Sequence, residues 1–320
     1  MKKKAVHIVI SLIIVVTLFF AIQRLVVPKY ADKPLEGNFT AEYYKETSDH
    51  EVMLIGDCEV YENINPIEMW QKYGITSYIR GNAQQLIWQS YYMLEDALKY
   101  ETPKVVVYNI QALTHGEPQR EEYNRMTLDG MKWSKSKYNA IRASMCRGEN
   151  MLDYFLPLFR YHSRILDVSE NDVKYYWKSK PVTHNGYYMR VDVLPVSESD
   201  VADPSWLLGD QSDEEEDVVD PWTDIENADD DLDQSPTIGD SATGKGEKFG
   251  KYPMEYLDKM RKLCQKKGIK LVLMKAPSLS PEWYDSDNQQ VVEYAEKYKL
   301  PYINFYELID TLKIDYETDT

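Results

Sequence analysis

Residues 52–59 read VMLIGDCE. Four apolar residues without polar alternation predict a strand buried on both faces, as in a parallel sheet with helices on each side. The chain then turns through Gly56 and Asp57, at the carboxyl tip where α/β folds gather their ligands. Working outward, 77–79 predicts a second strand ending at Gly81, and 105–107 a third running into Asn109. Further strands are expected over 271–274 and 302–304. Helical spacing and end signals predict helices over 66–73, opened by Asn65 and Pro66, and over 82–100, with Leu86, Tyr91, Leu94 and Leu98 on one face and Pro103 beyond. Two more are expected over 254–267, closed by Gly268, and over 289–298. Strands alternating with helices make the class α/β: a doubly wound parallel sheet in three layers, flavodoxin-like in outline.

About 160 residues separate the third and fourth strands, too many for one crossover. Helices are expected in them near 135–146, 151–159 and 170–177. The stretch 198–247 carries 18 acidic residues against Lys245 alone, −17 in all, so the net charge of −16 is entirely local to it and the rest of the chain sums to +1. Such runs repel themselves and bury little, which predicts a disordered, solvated insert. Its acidic clusters lack the glycine and the twelfth-position Glu of a calcium loop. The rest of the chain has no basic surplus, and nucleic-acid binding is not expected.

Residues 5–22 are apolar except for His7, Ser11 and Thr17, and Lys2, Lys3 and Lys4 precede them. A helix of that length rises about 27 Å, nearly the thickness of a hydrocarbon core. The lysines place the N-terminus in the cytoplasm and the remainder on the extracellular face of a cell membrane. Gln23 to Val27 offer no small-residue cleavage site, which favours an anchor over a cleaved signal. The expected organisation is a cytoplasmic tip and transmembrane anchor over 1–29, a stalk over 30–49, a domain in two parts over 50–197 and 248–320, and the insert between them. Three cysteines without a CxxC pattern indicate neither a disulfide framework nor zinc. Cys146 and Cys264 read as small packed residues; Cys58, after the first strand, does not.

Cys58, Gly81 and Asn109 all follow strand ends. A nucleophile there, with a backbone N–H and a carboxamide beside it, would form an acyl-transfer site, because donors fixed where an oxyanion develops are worth about 2.7–4 kcal/mol each. Asp57 is expected to fix the loop and Glu59 to cap the following turn. Arg125, Arg160, Arg164 and Arg190 lie among aromatic residues, where guanidinium forks suit phosphate or carboxylate groups; ordinary ion pairing explains them equally well. His162 reads as a packed or substrate-contacting residue.

This set resembles the SGNH/GDSL hydrolase superfamily, with Gly56-Asp57-Cys58 at the first block, Gly81 at the second and Asn109 at the third. It is most similar to the membrane-anchored bacterial branch that includes DltD-like proteins of lipoteichoic-acid D-alanylation. The stretches 123–134, 160–164 and 185–190 also look like exported members. The resemblance implies an acyl esterase or acyltransferase acting on a cell-envelope glycan or teichoic-type polymer, without metal or cofactor. The superfamily nucleophile is serine, and here Cys58 stands in its place. The superfamily also carries an Asp/His pair after its last strand, whereas no His follows His184. The expectation is that the chain stops short of that block. The alternative is a non-catalytic envelope scaffold or binding protein with a degenerate hydrolase fold.

Overall fold

The computed structural model describes residues 2–31, 34–118, 120–189, 246–277 and 283–312. The acidic insert expected over 198–247 lies almost wholly outside them, as do residues 313–320. Helix α1 (Lys2–Val26) is long and apolar enough to cross a bilayer, a property that a signal sequence shares. After it come α2 (Phe39–Tyr43), β1 (Val52–Gly56), α3 (Cys58–Asn63), α4 (Pro66–Tyr73), β2 (Ser77–Gly81), α5 (Ile87–Ala97) and β3 (Val105–Asn109). The middle region contributes α6 (Glu121–Leu128), α7 (Lys135–Ser144), α8 (Met151–Phe155), α9 (Leu158–Tyr161) and α10 (Glu170–Lys174). Then follow α11 (Lys251–Lys267), β4 (Lys270–Lys275), α12 (Asp285–Tyr298) and β5 (Tyr302–Asn304).

The five strands form one sheet in the order β2-β1-β3-β4-β5, every pair parallel. On one face Met53, Ile55, Tyr78, Val106 and Leu273 pack with Ile87 and Leu94 of α5 and with Leu257 and Met260 of α11. On the other, Leu54 and Ile79 meet Val60, Tyr61 and Phe39. Each such apolar side chain contributes about 1.5–3 kcal/mol on burial. Both faces are covered, which is why the strands read as continuous apolar runs. Cys264 is packed within α11, as expected, whereas Cys146 lies beyond the end of α7 and its N–H bonds Glu149 (2.8 Å).

Three expectations change. Residues 30–49 are not a free stalk, because Phe39, Thr40, Glu42 and Tyr43 are buried. Tyr43 packs edge-on to Tyr78 at 5.2 Å, and the Arg80 guanidinium lies 3.9 Å from the centre of its ring. The helix expected over 82–100 begins only at Ile87, where the Gln89 carboxamide oxygen accepts the Leu86 N–H (2.9 Å). The helix expected over 151–159 breaks at Pro157 into α8 and α9, since the ring cannot continue the hydrogen-bond ladder.

Edge strand β2 is covered by a tight turn at Asn185 and Gly186, both at positive φ. The Ile79 N–H donates to the Asn185 carbonyl (2.9 Å) and the Asn185 amide donates to the Ser77 carbonyl (3.1 Å). One outward N–H and one outward carbonyl of β2 are thereby paired.

Candidate functional site

The chain leaves β1 for β2 on one side and returns to β3 on the other, so the order reverses between β1 and β3. In open parallel sheets the crevice at that reversal is where ligands bind. Glycines let the tips close up. A Cβ on Gly56 would stand 2.4 Å from Val60 Cγ2 and 2.7 Å from Asn109 Cβ, and one on Gly81 would stand 3.0 Å from the Asp57 carbonyl oxygen. The three strand-tip positions singled out in the sequence are therefore neighbours.

Asp57 is the N-cap of α3: its Oδ1 accepts the Glu59 N–H (3.2 Å) and also an Asn109 amide hydrogen (3.0 Å). Asn109 Nδ2 donates again to Glu59 Oε2 (2.8 Å), while Asn109 Oδ1 accepts the Ala276 N–H (3.0 Å). Behind them, Lys275 Nζ donates to Glu59 Oε1 and Oε2 (2.9 and 3.0 Å) and to the Ala276 carbonyl (2.8 Å). Lys275 and Asn109 are fully buried, and Asp57 and Glu59 nearly so. The cluster ties the tips of β1, β3 and β4 into one polar knot. Asn109 has both amide hydrogens engaged, so in this arrangement it acts as a clamp, with no donor turned toward an oxyanion. Glu59, expected to cap the turn, instead bridges Asn109 and Lys275.

Two buried carboxylates share a single buried cation. Burial first, and then the Glu59 charge, push the Asp57 carboxyl up to about 7 against the pull of Lys275 and Asn109. For Cys58, burial of the sulfur and the charges of Asp57, Glu62 and Glu59 hold the thiol well above its ordinary range. The thiol is protonated at neutral pH. Cys58 nonetheless remains half-buried while Gly56, Asp57, Glu59, Gly81, Asn109 and Lys275 around it are buried.

The chain matches no family model, and neither a curated protein nor a solved structure matches it. What the site does therefore rests on its own chemistry.

The other expected site residues lie elsewhere. Arg125 is buried in α6, bonded to Glu121 (2.5 Å) and set 4.1 Å from the centre of the Tyr154 ring; Arg160 shares Glu121 (2.9 Å). Arg164 pairs with Asp172 (3.1 Å) and donates to the Val26 carbonyl. These three hold the middle helices together, and Arg190 lies outside the described residues. His162 bonds the Phe159 carbonyl (2.9 Å), and His115 is buried against Thr114 Oγ1 (3.0 Å), where burial lowers its pKa to about 4. Lys275 was missed in the sequence. Its signal was a charged residue closing the apolar run of β4.

The raised Asp57 pKa makes a pH prediction. In the unfolded chain an Asp titrates near ~3.9, and in the folded one it holds its proton to about 7. Its contribution to stability is fully present below the unfolded value and is lost as pH rises through 7. Asp57→Asn keeps the Oδ1 acceptor but removes the charge. Urea midpoints of the variant should vary less between pH 4 and 7 than those of the parent, and should lie higher at pH 8; parallel pH profiles would contradict the assignment.

Proposed function

We propose that the chain is a single-pass membrane protein whose outward domain cleaves or transfers an acyl ester on a cell-envelope glycan or teichoic-type polymer through Cys58. The observation that carries this reading is placement. Cys58 stands at the strand-order reversal and is partly exposed as a residue, with its sulfur packed inward against the Val60 and Tyr61 cluster, whereas the residues around it are buried. The sequence resemblance to SGNH hydrolases puts the nucleophile at the same position.

In this reading Cys58 Sγ attacks the ester carbon and forms the S–C bond, and the thiol proton passes to a base. The alcohol of the polymer then leaves, protonated, and water or an acceptor hydroxyl takes the acyl group from sulfur. In this reading Asp57, next to Cys58 in the chain, takes the proton, since its carboxyl is raised to about 7. Since the Asn109 amide is engaged, stabilisation of the oxyanion falls to backbone N–H groups such as that of Gly81.

A second reading, binding of the polymer without turnover, is favoured by the engaged Asn109 and by the acidic surroundings that keep the thiol protonated. Full-length protein in membranes, treated with an activated acyl-ester probe, separates the two. The expected result is an adduct mapped by peptide mass to Cys58, lost in Cys58→Ala, with probe turnover falling at least tenfold. An adduct on Cys146 or Cys264 alone, or equal turnover by Cys58→Ala, would leave the binding reading.

A further inference from the structure

Around the C-terminal end of α1 the middle helices expose an unusual run of apolar side chains. Phe159 on α9, Ile165 and Leu166 in the 3-10 turn at Ser163–Leu166, Val173 on α10 and Trp177 just beyond are all exposed, Leu166 to 88% and Trp177 to 81%. Single exposed apolar residues are ordinary, but five within residues 159–177, on elements that pack around α1, call for a partner.

The position of that partner follows from α1. Tyr176 Oη donates to the Ala21 carbonyl (3.0 Å), and Ala21 belongs to the last turn of the apolar run 5–22. The Arg24 side chain donates to the Tyr176 carbonyl and stands 5.3 Å from the centre of the Trp177 ring, while Arg164 donates to the Val26 carbonyl. Ala21 lies five residues before the end of α1, or about 7 Å along its axis at 1.5 Å per residue. The domain thus reaches back along the helix to the depth at which apolar side chains give way to Gln23 and Arg24. A bilayer crossed by α1 has its headgroup layer at that level. Trp beside Arg is the pairing that layer favours, the ring at the boundary and the guanidinium among phosphates.

We propose that the face formed by α9, the following 3-10 turn and α10 rests in the headgroup and upper acyl layer of the leaflet from which α1 emerges, a lipid surface that embeds Leu166 and Trp177. This rests on the reading of α1 as a membrane anchor. The domain is then held flat against the bilayer by its own surface, with no free stalk between, in keeping with the packing of residues 39–43 into the core.

The test uses full-length protein in phosphatidylcholine vesicles containing one quarter phosphatidylglycerol, with nitroxide lipids as fluorescence quenchers. Subtracting the emission of Trp177→Phe from that of the parent isolates Trp177, which is exposed and tolerates the change. A Leu12→Trp variant, read the same way, reports the anchor. The expected result is that a nitroxide high on the acyl chain removes at least half of the Trp177 emission, while one near the chain end acts more strongly on the Leu12→Trp signal. If the residue-12 signal is quenched and Trp177 is not, the patch faces water or protein and the proposal is overturned while the anchor stands. If neither is quenched, the anchor reading falls and the proposal with it.

Discussion

Lys275→Met should destabilise the protein by about 3–5 kcal/mol, because removing one partner of a buried ion pair leaves the other charge uncompensated. In a domain of this size that is a fall of about 10 °C or more in Tm. Lys275 is fully buried and directs its ammonium at both oxygens of Glu59 and at the Ala276 carbonyl. The methionine fills similar volume, so the loss is one of charge and hydrogen bonds rather than of packing. Two features separate this cause from a packing defect. The deficit should shrink as pH falls toward 5, because Asp57 takes up a proton that Lys275 no longer discourages. Adding Glu59→Gln should recover most of the loss, so that the double-variant cycle shows strong coupling. A cost below about 1 kcal/mol at pH 7.5, or no recovery in the double variant, would mean that Lys275 does not hold the knot.

That pair also shows where reading a sequence stops. The strands were legible because a sheet covered on both faces needs apolar residues at every position, as 52–55 and 105–107 supply. The meeting of the strand tips was legible for a related reason: Gly56, Gly81 and Asn109 close those runs, and the reversal of strand order puts their tips together. Sequence gives Asn109 its donors but not their acceptors, and both acceptors come from the start of α3 about 50 residues earlier. Glu59 and Lys275 are 216 residues apart, with the acidic stretch between them, so no local pattern joins them. The arginines left two readings open, and Arg125 takes the ordinary one: it finds Glu121 one helical turn away, an i,i+4 pair, and packs over the Tyr154 ring. The stalk was misread because tyrosine counts as polar by its hydroxyl and buries by its ring. Tyr43 does both, donating to Glu101 (2.8 Å) while its ring packs on Tyr78.

Gly186→Ala should strip the cover from β2. Gly186 has φ +79, and a Cβ there would stand 2.0 Å from the Ile79 carbonyl oxygen and 2.8 Å from its carbon. Those are backbone atoms of a paired strand and cannot swing aside as a side-chain tip would, so the turn itself must lift. Lifting breaks the bond from the Ile79 N–H to the Asn185 carbonyl and the one from the Asn185 amide to Ser77. Left-handed strain of about 1–3 kcal/mol adds to the lost bonds, and the sum is on the order of 3 kcal/mol. The informative readout is local: the Ile79 amide, protected by Asn185 in the parent, should exchange with solvent at least a hundredfold faster, while amides of β3 and β4 lose only what the global change in stability dictates. Gly148→Ala is the control, since Gly148 has φ +97 with nothing within 4 Å of its would-be Cβ; it carries the strain without the collision and should leave Ile79 protected. Equal exchange at Ile79 in the two variants would show that the turn does not seal the edge. Exposure of that edge would also free a row of unpaired donors and acceptors for other chains, so Gly186→Ala should aggregate faster than Gly148→Ala at matched stability.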